Sequence, residues 1–469
     1  MKKKPNKKKI HNCSECKKSC SRRGYAYKAS KGLSESIVCQ ISEEKGEQAW
    51  MLEYRLKALR AFEAKKMQSW GPDLSELNLD ELCFYLKAWG KQESCWQDIP
   101  ENIREPFEKE NIQNIEQESL GGLGAQYESE VVYHNLKKEW EDLGVIFCDT
   151  DTALKKYPEL FKEYFGTVVP YDDNKFASLN SAVWSGGSFI YVPKGVNIKV
   201  PLQTYYKMDS DKLGQFERTL IIADENSSVS YIEGCTAQSY SDKSLHSAVV
   251  EIIAKKGAKV KYYTIQNWSK NVYNLVTKRA HAYQDSLIEW VDCNVGSGVT
   301  MKYPAVVLKE KGAKTTVWSL SVASCENQVQ DTGAKAIHLA ENTTSKIVSK
   351  SISSNGGRAS YRGFIKVAKN AKNSKSFVQC DGLMLDGKSR SDAYPYMDVA
   401  QREVDIGHEA RVSKIVDEQI FYLMSRGLSH EDAQSLIING FIQPFLKELP
   451  AEYALEVDRL LSMGIKGEI

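Results

Sequence analysis

Residues 220–235, LIIADENSSVSYIEGC, and residues 250–266, VEIIAKKGAKVKYYTIQ, share one pattern. Each has an apolar strand end, a short polar turn holding a small residue, and a second strand of alternating side chains. The pattern returns in RAHAYQDSLIEWVDCN (279–294), VVLKEKGAKTTVWSLS (306–321), IHLAENTTSKIVSKSIS (337–353) and FIKVAKNAKNSKSFVQC (364–380). Recurrence at about 26–32 residues lies in the range of solenoid repeats. No helical period separates the strands, so stacked strand–turn–strand units predict a parallel β-helix. An antiparallel sandwich is the alternative, and the likeness of successive turns argues against it.

The spacing within the repeats also bears on function. Cys235 stands twelve residues after Ala223, Gln266 twelve after Ala254, and Cys380 twelve after Ala368. Equivalent coils would place all three side chains in one column. Coils stack about 4.8 Å apart, so five steps set the two thiols roughly 24 Å apart. Metal–thiolate bonds are only about 2.3 Å long. One small cluster cannot bind both cysteines, so they have separate roles or one of them has none.

Downstream, in QCDGLMLDGKSRSDAYPYMDVAQREVDIGHEARVSK (379–414), His408 and Glu409 follow Cys380 where strand-like sequence gives way to helix-like sequence. A soft thiolate beside imidazole and carboxylate donors suits iron. The plain alternative is a buried strand cysteine and an exposed charged pair.

The flanks read as helix. WMLEYRLKALRAFEAKKM (50–67) carries Leu52, Leu56 and Leu59 on one face. SEVVYHNLKKEWEDLG (129–144) and TALKKYPELFKEYFG (152–166) continue the helical reading. Beyond Val412, VSKIVDEQIFYLMSRG ends at Gly427, a C-cap residue. Ser429 with Asp432 opens the next helix, and Pro450 opens the last. Phe421, Phe441 and Phe445 form either a docking surface or a small helical core. The expected organisation is a basic tail over 1–41, a mainly helical region over 42–166, the β-helix over 167–400 and a helical region over 401–469.

At 469 residues the chain exceeds the roughly 250–300 that one core supports. A net charge of +2 gives no reason to expect nucleic acid as a partner. No apolar run nears the roughly eighteen residues of a membrane span. The start, MKKKPNKKKIHNCSECKKSC, is basic without the apolar stretch of a secretion signal, which predicts a cytoplasmic protein. Its eleven cysteines are then reduced thiols. His11, Cys13, Cys16 and Cys20 make half of a zinc-like site with no matching second half. Cys83, Cys95, Cys148, Cys293 and Cys325 read as structural. No G-x-x-x-x-G-K phosphate loop occurs, so this chain is not expected to hydrolyse ATP itself.

Many separate motifs carry a family resemblance: SAVWSGGSFIYVPKGV (181–196), GQFERTLIIADE (214–225), YIEGCTAQ (231–238), LHSAVVEI (245–252), TIQNW (264–268), NLVTKRA (274–280), MKYPAVVL (301–308), SYRGFIK (360–366) and HEARVSKIVDEQIFYLMSRGLSHEDA (408–433). Together they resemble the SufB branch of the SufB/SufD family, from the SUF iron–sulfur cluster assembly system. The likeness runs from about Trp50 to Gly467.

This resemblance implies a right-handed parallel β-helix between helical ends. The implied role is a scaffold for de novo cluster assembly, not an enzyme. The implied partners are the SufC-type ABC ATPase, docked on the C-terminal helices, and the SufD paralogue or a second copy of this chain. Sulfur would come from a donor of the SufE or SufU type with a cysteine desulfurase. The implied cofactor is a transient iron–sulfur cluster, with the 4Fe-4S form first, and a reduced flavin is also linked to the family. By motif, Cys235 corresponds to the sulfur acceptor, and Gln266, Trp268 and Lys278, with His246, to an interior sulfur relay. An inward Lys278 would favour a nearby thiolate. Cys380, Glu409 and the adjacent His408 correspond to the site of the nascent cluster. The chain reads IGHEA where many members read LEHEA, so Gly407 removes one carboxylate. Two other roles stay open: a SufD-like structural partner without a cluster, and a β-helix carbohydrate-active enzyme.

Overall fold

The repeats stack into a parallel β-solenoid of about seven turns, in a computed structural model that describes residues 25–108, 120–237 and 242–466. His11, Cys13, Cys16 and Cys20 lie outside the described residues. Each repeat gives one strand to each of two sheets. One sheet runs in order through Leu202–Met208, Ser228–Ala237, Lys259–Trp268, Leu287–Gly296, Lys314–Ala323, Thr344–Ser353, Ser374–Met384 and Val404–Lys414, all parallel. The other includes Arg218–Ala223, Val249–Ala254, Val272–Ala282, Val329–His338, Arg358–Val367 and Arg390–Val399. Inward side chains of both sheets, among them Ile221, Ile252, Tyr231, Tyr262, Trp290, Ile347 and Ile365, form a common core.

The small turn residue of each repeat explains why the coils stack. Asn226, Gly257, Asp285, Gly312, Asn342 and Asn373 all adopt left-handed backbone, with φ between 54° and 72°. Asn, Asp and Gly tolerate that conformation best. Each of their amides donates to a carbonyl in the next turn of the stack, from Asn226 to Lys256 at 2.8 Å through to Asn373 and Glu403 at 2.7 Å. The turns therefore form a ladder of their own.

Strand register corrects the column assignment. Gln266 does pair with Cys235. Cys380 does not share their column: it follows Ser349, Ser319, Asp292, Thr264 and Glu233. The turn from Val367 to Lys375 is three residues longer than its counterpart from Ala223 to Ser228, which breaks the constant offset. Both columns still face the interior. Five inter-strand steps still separate the thiols, about 24 Å at 4.8 Å per step.

Three helical expectations also change. Glu130–Leu136 is a strand, hairpin-paired to Gly122–Tyr127, because Val131, Val132 and Tyr133 suit a sheet edge. In helix Ala49–Ala64 the buried face is Met51, Arg55, Ala58, Leu59 and Phe62, with Arg55 paired to Glu47 at 2.5 Å. Leu52 and Leu56 stand at its margin. Strand Val404–Lys414 carries the solenoid through His408 and Glu409, and helix begins only at Asp417. Pairing with Ser374–Met384 overrides the local helical pattern there.

Beyond it the predicted caps form: Gly427 is left-handed, and the Ser429 hydroxyl accepts the Asp432 amide at 3.1 Å. Phe445 joins Ile438, Ile442, Val457 and Leu460 in a core on the outer face of the first sheet, with Phe441 packed against it. Of the three phenylalanines only Phe421 is open, at 73% exposure. At the other end, Arg218 and Glu251 form a fully buried pair at 2.7 Å. The Glu251 carboxylate also accepts the amides of Gly166, Val168 and Val169, which pins the N-terminal region to the solenoid.

Candidate sulfur and metal sites inside the solenoid

Cys235 lies inside the solenoid, 1% exposed. Its thiol donates towards Glu233 Oε1 at 3.7 Å, and Gln266 Nε2 lies 3.9 Å from the sulfur. The Gln266 carbonyl accepts from Asn274 Nδ2 at 2.7 Å, and Asn274 Oδ1 lies 2.7 Å from His246 Nδ1. His246 Nε2 meets Glu217. Burial opposes charge on this imidazole, but the Glu217 carboxylate outweighs it and holds the pKa above the usual value. An imidazolium donating at both nitrogens fits both partners. Trp268 lies against the ring at 4.5 Å between centroids and fixes its plane. Cys235, His246, Gln266, Trp268 and Lys278 thus come together in one buried cluster.

Lys278 faces inward, but its ammonium is engaged by Thr264 and by Asp292 at 3.2 Å, with Glu233 at 4.0 Å. Burial pushes the Cys235 thiol well above its usual pKa, Glu233 and Glu217 add to this, and Lys278 and Lys302 only partly offset it. The resting thiol is neutral. Asp292 also meets Lys302 at 3.3 Å. Burial opposes its charge, yet the two lysines together hold its carboxyl at about 2. Burial, with Lys278 as a like charge, depresses Lys302 to about 8.

A stability test follows from Lys302. Its unfolded value is the ordinary 10.5, so between about 8 and 10.5 the unfolded chain binds more protons. Stability therefore rises with pH across that window. Urea denaturation at about pH 8.5 and about pH 10, both inside this range, should show wild type gaining on Lys302→Met. An unchanged difference would contradict the assignment.

From this cluster a polar column crosses the interior. Glu233, Thr264, Asp292, Ser319, Ser349 and Cys380 are successive register partners, none more than 4% exposed. Gln266, Asn294 and Ser321 form a second column beginning at Cys235. Buried polar groups are costly unless satisfied. Asp292 Oδ2, Asn294 Oδ1 and Gln330 Oε1 have no partner among the described residues.

At the far end the Cys380 sulfur lies 3.6 Å from His408 Nε2. Burial raises the thiol to about 12, although the Tyr361 hydroxyl facing it acts the other way. Burial lowers the His408 pKa, so the ring is neutral and can offer a lone pair. Glu409 does not join them. Side chains alternate along a strand, so Glu409 sits beside Gln379 on the opposite face and pairs with Arg411. Among the described residues no three His, Cys, Asp or Glu side chains converge as a metal site. Gly407 lies opposite Phe377, whose ring would stand 3.2 Å from a Cβ placed there.

Glu217, Glu233, Asn274, Asp292 and Lys302 escape the sequence reading. Their signal is a charged or amide residue at an inward position of a strand, as Glu233 follows Tyr231 by two. Recognising it requires knowing which alternate side chains face inward.

Residues 206–441 match the family described as "SUF system FeS cluster assembly, SufBD core domain", and residues 96–204 match "SufBD protein N-terminal region". Proteins named "Iron-sulfur cluster assembly SufBD family protein" from Staphylococcus epidermidis and Staphylococcus aureus are similar to this chain throughout. Each is 55% identical over 443 residues, covering 94% of this chain and 95% of its own.

Proposed function

The chain belongs to the SufBD family of iron–sulfur cluster assembly proteins, and from that premise we propose that it is the sulfur-accepting, cluster-building scaffold of a SUF complex. The observation that carries this reading is the buried polar column joining the Cys235 cluster to Cys380.

In this reading the Cys235 thiolate attacks the outer sulfur of a donor persulfide, gains a persulfide, and releases the donor as a thiolate. The donor is of the SufE or SufU type. Because burial disfavours the thiolate, deprotonation accompanies docking of the donor. The Glu217–His246–Asn274–Gln266 chain holds the Gln266 amide towards the sulfur. Lys278 and Lys302 favour the anionic persulfide. Two electrons from a reductant, such as the reduced flavin linked to the family, cleave its S–S bond to the Cys235 thiolate and hydrosulfide. The interior hydroxyls and amides solvate the hydrosulfide on the way to Cys380. There, thiolate and neutral His408 hold iron. Metal binding removes the thiol proton, which overcomes its raised pKa. Glu409 joins when strand Val404–Lys414 turns.

That strand and Arg390–Val399 end their sheets, with Tyr396 63% and Val412 46% exposed. Unpaired edges of this length invite another chain, here the SufD paralogue or a second copy. Phe421, Tyr422 and Leu455 on the C-terminal helices offer an apolar surface to the SufC-type ATPase. Anaerobic purification with that ATPase, followed by iron, sulfide and Mössbauer analysis, tests the role. Iron with acid-labile sulfide is expected. An iron-free complex would assign the chain the structural, SufD-like part instead.

A further inference from the structure

A separate cleft lies outside the solenoid. It encloses about 420 Å³ between the end of helix Ala49–Ala64, the start of helix Lys175–Val183 and the outward face of strand Val272–Ala282. This is within the size range of small-molecule sites. Leu275, Thr277 and Arg279 face it from a strand whose alternate residues, Asn274 and Lys278, face the Cys235 cluster.

Its charge is lopsided. Lys65, Lys66, Lys175, Arg279 and Lys335 line it, against the single acid Asp173. Asp173 is already engaged by Arg279, through two contacts at 2.6 and 3.1 Å. Lys175 donates to the carbonyls of Phe62 and Lys65 at 2.9 and 2.6 Å, neutral acceptors that leave its charge uncompensated. Lys335 is the decisive residue. It is half-buried, rests over the Tyr303 ring at 5.4 Å, and meets no acceptor among the described residues. Burial and the Arg279 charge depress its pKa, and the Asp173 carboxylate offsets them only in part. Between Arg279 and Lys335 the register partner is Ala305, whose small side chain leaves space. A half-buried cation whose one neighbouring carboxylate is already paired with Arg279 is costly unless a further anion joins it.

Beside the polar Gln68, Asn174 and Thr277, the rest of the lining is apolar or aromatic. Phe176, Leu275 and Met301 line it, and Trp70 and Tyr303 lie 5.8 Å apart at one side. Trp70 is 50% exposed, with the Arg362 guanidinium over its ring at 5.5 Å, so part of the ring is available to a planar ligand.

We infer that this cleft binds a phosphate monoester carrying a planar ring, of the size of a mononucleotide, with Lys335 and Lys66 holding the phosphate and Trp70 the ring. The inference does not depend on the scaffold role. Titration calorimetry of the full chain with AMP, ribose 5-phosphate and inorganic phosphate tests it. AMP should bind saturably, and about tenfold tighter than ribose 5-phosphate if a ring contact worth roughly 1–3 kcal/mol is made. Lys335→Gln should weaken AMP about tenfold, with Lys335→Arg restoring it, while the melting temperature stays constant. Trp70→Leu should bring AMP and ribose 5-phosphate to equal affinity. Absence of saturable binding of any probe, or a Lys335→Gln protein that binds AMP as tightly as wild type, would overturn the site. An AMP preference that survives Trp70→Leu would overturn the ring contact.

Discussion

Cys380→Ser, reconstituted anaerobically with the ATPase partner, retains less than about a tenth of the wild-type iron and sulfide, because serine exchanges the soft donor for a hard one. Sulfur should still arrive. Mass spectrometry should then find the Cys235 peptide one sulfur heavier, and for longer than in wild type, since its outlet is gone. Cys235→Ser gives the mirror image: Cys380 still takes up ferrous iron, but sulfide does not accumulate from the desulfurase. Both variants keep the fold, since each exchange removes little volume from a buried site. His408→Ala should lower iron retention about tenfold, as loss of a neighbouring donor or orienting group does. Glu409→Ala behaves differently. In the isolated chain Glu409 faces away from Cys380 and is paired with Arg411, so iron uptake there is unchanged. Its loss should show only in the complex during ATP turnover. A Cys380→Ser protein that builds a full complement of cluster would end the assignment.

The second large effect is on stability. Asp292 is the shared counter-ion of Lys278 and Lys302, and both lysines are essentially excluded from water. Asp292→Asn leaves two buried ammonium groups facing one amide. Breaking a buried pair from one side costs about 3–5 kcal/mol, a large part of the 5–15 kcal/mol typical of a domain. Urea denaturation should show it directly. Adding Lys302→Met removes one orphaned charge and should recover part of the loss. A drop below about 1 kcal/mol, the usual value for an exposed pair, would mean that water reaches the cluster. The carboxyl titrates at about 2 in the folded protein against an ordinary 3.8. Its contribution is therefore complete above pH 3.8 and lost as pH falls towards 2.

The solenoid was readable because each turn needs a left-handed residue. Asn226, Gly257, Asp285, Gly312, Asn342 and Asn373 advertise that need as a recurring small polar residue between apolar runs. The identity of the end thiol's column was not readable, because it depends on the length of the Val367–Lys375 turn, and an irregular turn leaves no periodic trace. Likewise, nothing local distinguishes HEARVSK from a helix start; only the neighbouring strand Ser374–Met384 holds it extended. Cys235, Gln266, Trp268, Lys278 and His246 were found through motif resemblance. Asn274 and Lys302 reach Gln266 from the opposite sheet, and such cross-sheet contacts are set by the winding of the coil.

The two outermost strands, Arg390–Val399 and Val404–Lys414, pair with no further strand among the described residues, at the end of the stack that holds Cys380. In the proposed complex, a newly made copy that has not yet met its companion would carry a ready template for runaway stacking, with the Cys380 thiol one strand in from the exposed rim. If the proposed partner caps this end, matched production of the subunits would protect both at once: the cap would block stacking and would shield half-built metal from oxygen.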